Sequence, residues 1–319
     1  MIPIKGSIFI IFTVLFYITS SFAEVIDFNE ENFFVDVLWQ KAMHIDAARF
    51  PKVALVLGGG GARGFAHIGV LQVLQKEQIP ISLVVGTSVG AIAGAFYCAG
   101  IPFESLSKDI KSFGIKDVSN FSYPSFFKML LTEQLLSNEK IENFINRKLG
   151  DITFDHLQIP LICVATDLIT GERILLKEGR VSFAARASAT VPGIFQAVEY
   201  KQRYLVDGGL SDNIPVSVAK LFKTDVIIAV SCAADITKNN ISNVFLTLMQ
   251  AIYIQGQALD QHNLSMADVV IYPDVGGLSS VDFALAYKTV DKGYDAAKKS
   301  IIGIKKNIIE KILERDLIE

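Results

Sequence analysis

Two glycine-rich turns constrain the fold of this chain more than any other feature. The first, residues 58–64 (GGGGARG), follows the apolar run Val53–Leu57 and precedes a segment with helical spacing. The second, residues 86–90 (GTSVG), follows another apolar run and places Ser88 at the start of a helix. Continuous apolar runs of this length are typical of central strands that are covered on both faces. Strands that alternate with helices predict an α/β layered fold with a largely parallel sheet.

The remaining sequence continues this alternation. A helix is predicted after the first turn, with Ile68, Leu71 and Leu74 at helical spacing, and a second helix runs from Ser88 to about Ala99. Further strands are predicted at residues 81–85, 161–165, 173–176, 204–206, 226–230 and 269–272. Helical segments lie between most of these strands, as parallel pairing requires.

Both ends of the globular part are predicted to be helical. Residues 24–50 predict a short helical lead-in. The C-terminal stretch predicts an amphipathic helix, with Ile301, Ile304, Ile308 and Leu313 on one side and lysines and glutamates elsewhere. We expect this helix to dock on the domain; a role at a membrane surface is the alternative.

The N-terminal residues 1–23 predict a secretory signal peptide. Lys5 precedes an apolar run over residues 8–18, and the small residues Ser21 and Ala23 follow it. This is the layout of a signal peptide cleaved after Ala23, and the run is shorter than the ~20 residues of a spanning helix. We expect export to the periplasm or secretion; an uncleaved N-terminal membrane anchor is the alternative.

Composition excludes several classes of function. The 319 residues carry a formal net charge of −3, so no basic character indicates nucleic-acid binding. Cys98, Cys163 and Cys232 lie far apart in apolar surroundings and lack the spacing of metal ligands. We expect buried free thiols rather than a disulfide framework, although one disulfide is an open alternative.

The second glycine turn predicts a nucleophile. Gly86 and Gly90 leave room for a tight strand-to-helix elbow that exposes the hydroxyl of Ser88 at a helix N-terminus. The positive end of the helix dipole favours negative charge that develops there. Taken alone, the pattern fits an ordinary glycine-serine turn equally well.

The first glycine turn changes that balance. Gly59, Gly60 and Gly61 follow the first strand, at the edge of an α/β sheet where ligands collect. Their amides can converge on an anion, here the oxygen of a tetrahedral intermediate. Arg63 is placed to brace the loop or to contact a phosphate. The spacing also fits a dinucleotide fingerprint, but the second strand ends in the serine turn rather than in an acidic residue.

A serine nucleophile needs a proton acceptor, and the pattern favours Asp207 for this role. Asp207 ends a predicted strand and precedes Gly208 and Gly209, so its carboxylate can enter the same crevice as Ser88. Partial burial would raise its pKa and make it a better proton acceptor. The alternative is a serine–aspartate–histidine triad with His262, which lies among polar residues in a predicted helix.

Together these motifs resemble the patatin-like phospholipase family. The stretches that carry the resemblance are residues 58–71, 86–90, 187–195 and 207–209, together with Asn213 and Pro215. The resemblance covers about residues 53–222, and the catalytic elements show no departure from the family pattern.

The resemblance implies a three-layer α/β/α fold with a mostly parallel central sheet, and a serine–aspartate dyad that lacks a catalytic histidine. By this resemblance Ser88 attacks a fatty-acyl ester, and Asp207 accepts its proton and later assists water. The amides of Gly59, Gly60 and Gly61 hold the oxyanion. The resemblance implies no metal and no other cofactor.

The sequence therefore predicts a lipid acyl hydrolase of phospholipase A or lysophospholipase type that acts on lipid at a membrane interface. The catalytic core would span residues 51–222, and residues 223–319 would complete the same domain. Residues 121–131 form either a lid or interfacial patch, or part of the core. A non-catalytic lipid-binding module is the alternative from another class. No oligomeric state is indicated.

Overall fold

An eight-stranded mixed sheet forms the centre of the computed structural model, which describes residues 30–46, 49–103, 106, 135–233, 237, 241–242 and 244–316. The strands are β1 (Val53–Leu57), β2 (Leu83–Thr87), β3 (Leu161–Asp167), β4 (Arg173–Leu176), β5 (Val198–Tyr200), β6 (Arg203–Asp207), β7 (Val226–Val230) and β8 (Val269–Ile271). Their order is β5-β6-β3-β2-β1-β7-β8, and β4 pairs with β3. Strands β1, β2, β3, β7 and β8 are parallel, whereas β4 and β6 run antiparallel to β3 and β5 antiparallel to β6.

Helices cover both faces of this sheet. The α-helices of the described residues are α1 (Glu30–Ala42), α2 (Ala66–Lys76), α3 (Val89–Cys98), α4 (Glu139–Leu149), α5 (Val181–Ser188), α6 (Val216–Leu221), α7 (Val244–Ser265) and α8 (Lys288–Asp316). Helix α6 joins the core on one face, where Val216 and Val218 pack with Val85. Helix α3 lies on the other face, where Gly94 approaches Val84 and Leu161. Because neighbouring strand residues point to opposite faces, both faces of β2 are buried.

The three-layer fold and the mostly parallel sheet are confirmed. Two strand predictions need correction: the strand predicted at residues 81–85 lies at Leu83–Thr87, and β5 was not predicted. Strand β5 has only three residues, too few for a periodic pattern to stand out. All three cysteines are buried free thiols, as predicted.

The C-terminal helix docks on the domain, as its amphipathic pattern predicts. Helix α8 packs along α2 and buries Ile301, Ile304 and Ile308. Leu313 was expected on the same side, but half of its side chain is exposed and the neighbouring Ile312 is buried instead. Over the 29 residues of α8, a period of 3.6 residues per turn rotates the buried face slowly relative to a regular apolar repeat. Near the end of the helix the buried position therefore falls at Ile312 rather than at Leu313.

The chain divides after His44 into two units. Helix α1 belongs to the first unit and agrees with the predicted helical lead-in, whereas the whole sheet belongs to the second. The predicted signal peptide and residues 121–131 lie outside the described residues. No helix in the described part of the chain combines the length and the apolar character needed to cross a membrane.

Candidate active site

Strand register brings Ser88 and Asp207 together. Strand β3 lies between β2 and β6, and its Val164 is the partner of Thr87 on one side. On the other side the next residue, Ala165, is the partner of Asp207. Ser88 follows Thr87 directly, so the two candidate residues flank the same point of β3, although 119 positions separate them in sequence.

The turn around Ser88 is a tight elbow. Ser88 has a φ of 55°, in the left-handed region that non-glycine residues rarely adopt. The elbow brings the first turn of α3 against its own strand: a Cβ on Gly86 would lie 2.7 Å from the backbone of Ala91. A Cβ on Gly90 would lie 2.1 Å from the carbonyl oxygen of Leu57. Both predicted elbow glycines are therefore required by close backbone approach.

The side chains of Ser88 and Asp207 form a short hydrogen bond. Ser88 Oγ donates to Asp207 Oδ2 at 2.6 Å, and each residue is only 8% exposed. The other carboxylate oxygen, Oδ1, accepts the amide N–H of Gly209 at 2.8 Å. Both oxygens of Asp207 are thus engaged, and the carboxylate is oriented toward the serine. The structure brings together the two side chains that the sequence singled out.

Burial makes Asp207 an unusually basic carboxylate. Desolvation raises its pKa from 3.8 to about 6, while the hydrogen bonds from Ser88 and Gly209 act in the opposite direction. The group is therefore ionised at neutral pH and still accepts a proton more readily than an exposed aspartate does. This is the property that a general base at neutral pH needs.

The acid loop reaches the serine only because residue 208 is glycine. A Cβ on Gly208 would lie 2.1 Å from the carbonyl oxygen of Val164, so no larger residue fits between β6 and β3. The next residue, Gly209, supplies the amide that fixes the Asp207 carboxylate. The two acid-loop glycines therefore play different structural parts: Gly208 allows close approach to β3, and Gly209 orients the carboxylate.

The glycine loop lies beside Ser88, but its three amides are not equivalent. The amide of Gly59 donates to the carbonyl oxygen of Asn213 at 3.1 Å, so it is already engaged. Within the described residues the amides of Gly60 and Gly61 have no hydrogen-bond acceptor. A Cβ on Gly59 would lie 3.4 Å from the Cβ of Ser88, which shows how closely the loop approaches the elbow. Of the three amides predicted to hold an oxyanion, that of Gly59 is therefore already engaged, and the role of Gly60 and Gly61 stays a prediction.

Arg63 braces this loop from inside the fold. Its Nε donates to the carbonyl oxygen of Gly60 at 3.3 Å, and its guanidinium lies 5.3 Å from the ring centroid of Tyr253. Arg63 is 3% exposed and still lines the cavity above the dyad. Of its two predicted roles, the structure shows the contact with the loop; the contact with a phosphate stays a prediction.

His67 holds the first residue of the loop and takes no part in the dyad. Its Nε2 lies 2.8 Å from the carbonyl oxygen of Gly58, and its ring is completely buried. Burial lowers its pKa to about 4, so the imidazole is neutral at pH 7 and Nε2 is the protonated nitrogen that donates to the carbonyl. His67 therefore fixes the backbone where β1 passes into the glycine loop.

A large apolar cavity opens over Ser88 and Asp207. Its volume is about 800 Å³, within the ~300–1,000 Å³ typical of ligand pockets. Helices α3, α4 and α7 supply much of its wall, and six of the apolar side chains are Ile92, Phe96, Phe144, Met249, Ile252 and Leu264. The hydroxyl and carboxylate therefore meet at the surface of a pocket suited to a long apolar chain.

One polar pair enters this cavity that sequence reasoning did not find. Asp260 of α7 lines the cavity, and its Oδ2 accepts the side-chain amide of Asn213 at 3.0 Å. Burial, with a smaller contribution from the nearby Asp212, raises the pKa of Asp260 to about 6, although the hydrogen bond from Asn213 acts in the opposite direction. The sequence indicated Asn213 only as one of the residues that carry the family resemblance. No motif around residue 260 indicates that Asp260 belongs to a site.

The alternative triad has no support in the geometry. His262 is exposed on α7 and does not line the cavity. Both carboxylate oxygens of Asp207 accept hydrogen bonds from residues other than histidine. Among the described residues, no group of three or more histidine, cysteine or acidic side chains is placed to hold a metal ion.

Comparison with known families agrees with the resemblance that the sequence motifs carry. Residues 55–220 match the family model for patatin-like phospholipases. The chain belongs to the patatin-like phospholipase family. The matched span of this patatin-like domain begins in β1 and ends in α6, so it contains both glycine turns and the acid loop.

Curated relatives share this patatin-like region. An uncharacterised NTE family protein of Mycobacterium tuberculosis is 34% identical over 190 residues, which cover 60% of this chain and 51% of the relative. Lysophospholipase NTE1 of Candida glabrata is 31% identical over 178 residues, which cover 56% of this chain and 10% of that protein. The match thus spans about half of the mycobacterial relative and a tenth of the yeast one.

Solved structures of similar shape are more distant in sequence. VipD from Legionella pneumophila aligns over 82% of this chain and 67% of its own, with 16% identity and a TM-score of 0.47. Human GIVD cytosolic phospholipase A2 aligns over 88% of this chain and 64% of its own, with 11% identity and a TM-score of 0.48.

Proposed function

We propose that this protein is a lipid acyl hydrolase in which Ser88 is the nucleophile and Asp207 is its general base. The observation that carries the proposal is the 2.6 Å hydrogen bond between Ser88 Oγ and Asp207 Oδ2 beside a large apolar cavity. Membership of the patatin-like phospholipase family and the identity with a yeast lysophospholipase support the same reaction class.

In the first half of the reaction, Ser88 Oγ attacks the carbonyl carbon of a fatty-acyl ester while its proton moves to Asp207 Oδ2. The tetrahedral oxyanion accepts hydrogen bonds from the free amides of Gly60 and Gly61. Each well-aimed donor of this kind is worth about 3 kcal/mol in the transition state. Collapse of the intermediate expels the alcohol, which takes the proton from Asp207 and leaves an acyl-enzyme on Ser88.

In the second half, Asp207 removes a proton from water as the water attacks the acyl-enzyme. The fatty acid leaves, and the proton returns from Asp207 to Ser88 Oγ. One ester and one water thus become one acid and one alcohol, and both residues regain their starting states. A single carboxylate serves both halves because its raised pKa allows it to accept and release the proton near neutral pH.

The apolar wall of the cavity favours lipid over a small polar ester. We propose that the acyl chain lies along the apolar side chains between α3, α4 and α7, since burial of each CH₂ group gains about 0.8 kcal/mol.

Ser88 itself lies at the N-terminus of α3, where the helix dipole favours the negative charge that develops during the reaction. Action at a membrane interface and export by the N-terminal segment remain parts of this proposal.

The test is lipid hydrolysis by the wild-type protein and by Ser88→Ala. Both proteins are incubated with a mixed lipid extract without added calcium, and released fatty acids and residual lipids are quantified by mass spectrometry. We expect release by the wild-type protein alone. Equal release by both proteins would show that Ser88 is not the nucleophile, and no release by either would favour a non-catalytic lipid-binding module.

A further inference from the structure

One buried turn contacts the backbone of both Ser88 and Asp207. It begins at Ser188, the last residue of α5, and includes Thr190, and both residues are completely buried. Ser188 Oγ accepts the amide N–H of Ser88 at 2.9 Å. The carbonyl oxygen of Thr190 accepts the amide N–H of Asp207 at 2.8 Å. This turn belongs to the stretch 187–195, a family-like sequence to which the dyad chemistry assigns no role.

The hydroxyl of Ser188 occupies a position that the sheet itself would otherwise fill. Val84 N donates to the carbonyl oxygen of Pro160 where β2 pairs with β3. Parallel pairing repeats every two residues, so the same ladder, continued for four residues, would join the Ser88 amide to the carbonyl of Val164. Instead, Ser88 donates to Ser188 Oγ, and Ser188 Oγ donates to the Val164 carbonyl at 2.6 Å.

The Ser188 hydroxyl thus takes the place of the direct hydrogen bond that would join the Ser88 amide to the Val164 carbonyl. The insertion separates Ser88 from β3 by the width of one oxygen atom while both backbone groups keep a hydrogen-bond partner. This separation lets the chain leave the strand, and Ser88 then adopts its φ of 55° at the elbow. Without the hydroxyl, the Ser88 amide loses its hydrogen-bond acceptor, which is costly for a buried N–H group.

The same turn fixes the acid side of the dyad. The Thr190 hydroxyl donates to the carbonyl of Arg186 and accepts the side-chain amide of Asn138, so this end of the turn is tied both to α5 and to Asn138. Its carbonyl then holds the Asp207 amide. Ser188 and Thr190, which are only two positions apart in one turn, therefore hold the backbone amides of Ser88 and Asp207, respectively.

We propose that Ser188 is a positioning residue for the acyl-transfer reaction, with its hydroxyl relay between Ser88 and Val164 setting the nucleophile at hydrogen-bonding distance from Asp207. This role rests on the proposed function of the dyad. A displacement of about 1 Å in such a site lowers the rate about a hundred-fold. Ser188→Ala should therefore lower kcat by at least ten-fold and leave KM within about two-fold, since Ser188 does not line the cavity.

Helix α5 offers a matched control. The hydroxyl of Ser182 is also buried on this helix, but it has no hydrogen-bond partner among the described residues. Ser182→Ala removes a buried hydroxyl without removing a relay. We therefore expect its kcat, its KM and its rate of labelling by an alkyl fluorophosphonate to stay within about two-fold of the wild-type values. Ser188→Thr keeps the hydroxyl and should recover most of the labelling rate that Ser188→Ala loses.

The experiment compares these variants by steady-state hydrolysis of a short-chain p-nitrophenyl ester, by labelling rate from intact mass, and by thermal unfolding. Slow labelling and low kcat in Ser188→Ala, with unchanged Ser182→Ala, support the relay. Rates for Ser188→Ala within two-fold of those for Ser182→Ala would overturn it. If Ser188→Ala does not fold, Ser188→Cys takes its place, because a thiol is a weak donor and acceptor and should show the same slow labelling.

Amide hydrogen exchange separates this inference from the proposed function. In the wild-type protein the Ser88 amide should exchange slowly, and the hydroxyl-free variant should exchange it at least ten-fold faster. This readout needs no reaction. Missing fluorophosphonate labelling of wild-type Ser88 would overturn the proposed function, whereas an unchanged exchange rate would overturn the relay.

Discussion

Replacement of Asp207 with asparagine should abolish turnover and, at neutral pH, make the protein more stable. The carboxylate is buried in the folded protein, where its pKa is about 6, against 3.8 for an exposed aspartate. The folded state therefore binds the proton more tightly than the unfolded state does. Between about pH 4 and pH 6 the folded protein holds the larger number of protons, so its stability falls as pH rises.

The size of this effect follows from the pKa difference. With a pKa of about 6 folded and 3.8 unfolded, ionised Asp207 destabilises the folded protein by about 3 kcal/mol above pH 6. Below about pH 3.5 the group is neutral in both states and the contribution disappears. Asparagine carries no charge at either pH, so Asp207→Asn gains stability only where the wild-type carboxyl is ionised.

Urea unfolding of both proteins at about pH 4 and pH 7.5 measures the difference. The stability of Asp207→Asn relative to wild type should rise by roughly 2 to 3 kcal/mol between the two pH values. Asp295→Asn, on the exposed face of α8, is the control and should show no such rise. The same carboxyl should set the pH profile of wild-type kcat/KM, with activity lost as the pH falls through about 6. A stability difference that is equal at both pH values would refute the argument.

Four further substitutions test other parts of the structure. His262→Ala should leave kcat within about two-fold, because this histidine is exposed away from the cavity; a triad would lose several orders of magnitude. Gly90→Ala places a Cβ 2.1 Å from the Leu57 carbonyl and should lower stability by about 3 kcal/mol or more, measured by thermal unfolding. Gly303→Ala in α8, where the new Cβ meets no described atom within 4 Å beyond its chain neighbours and the adjacent backbone of its own helix, should instead gain about 1 kcal/mol. Asp260→Asn should raise the unfolding midpoint near pH 7.5 and leave it unchanged near pH 4, because burial raises the pKa of the wild-type carboxyl to about 6.

The elements that the sequence predicted best are those with strong local patterns. Strand β7 was predicted with the same residues that the structure shows, since an apolar run with clear ends allows little choice of register. The elbow and the acid loop were also predicted, because glycines next to Ser88 and Asp207 indicate tight turns that a larger residue could not form. Short β5 and the exposed Leu313 escaped prediction, since both depend on tertiary packing.

Long-range geometry was the part that local pattern could not supply. The antiparallel direction of β6, which sets Asp207 opposite Ala165, is not encoded in the strand's own residues. The engaged amide of Gly59 depends on Asn213, a residue from a distant loop. The partner of the Ser88 amide likewise lies a hundred positions away. Such contacts are set by how the whole sheet assembles.

The most direct test of the dyad is to identify the residue that carries the acyl group during turnover. The wild-type protein and Asp207→Asn are mixed with a slowly hydrolysed acyl ester and quenched in acid, and the acylated peptide is sequenced by mass spectrometry. The dyad predicts acylation of Ser88 in the wild-type protein and at least a thousand-fold slower acylation in Asp207→Asn. Acyl transfer to another residue, or equal acylation rates in the two proteins, would contradict it.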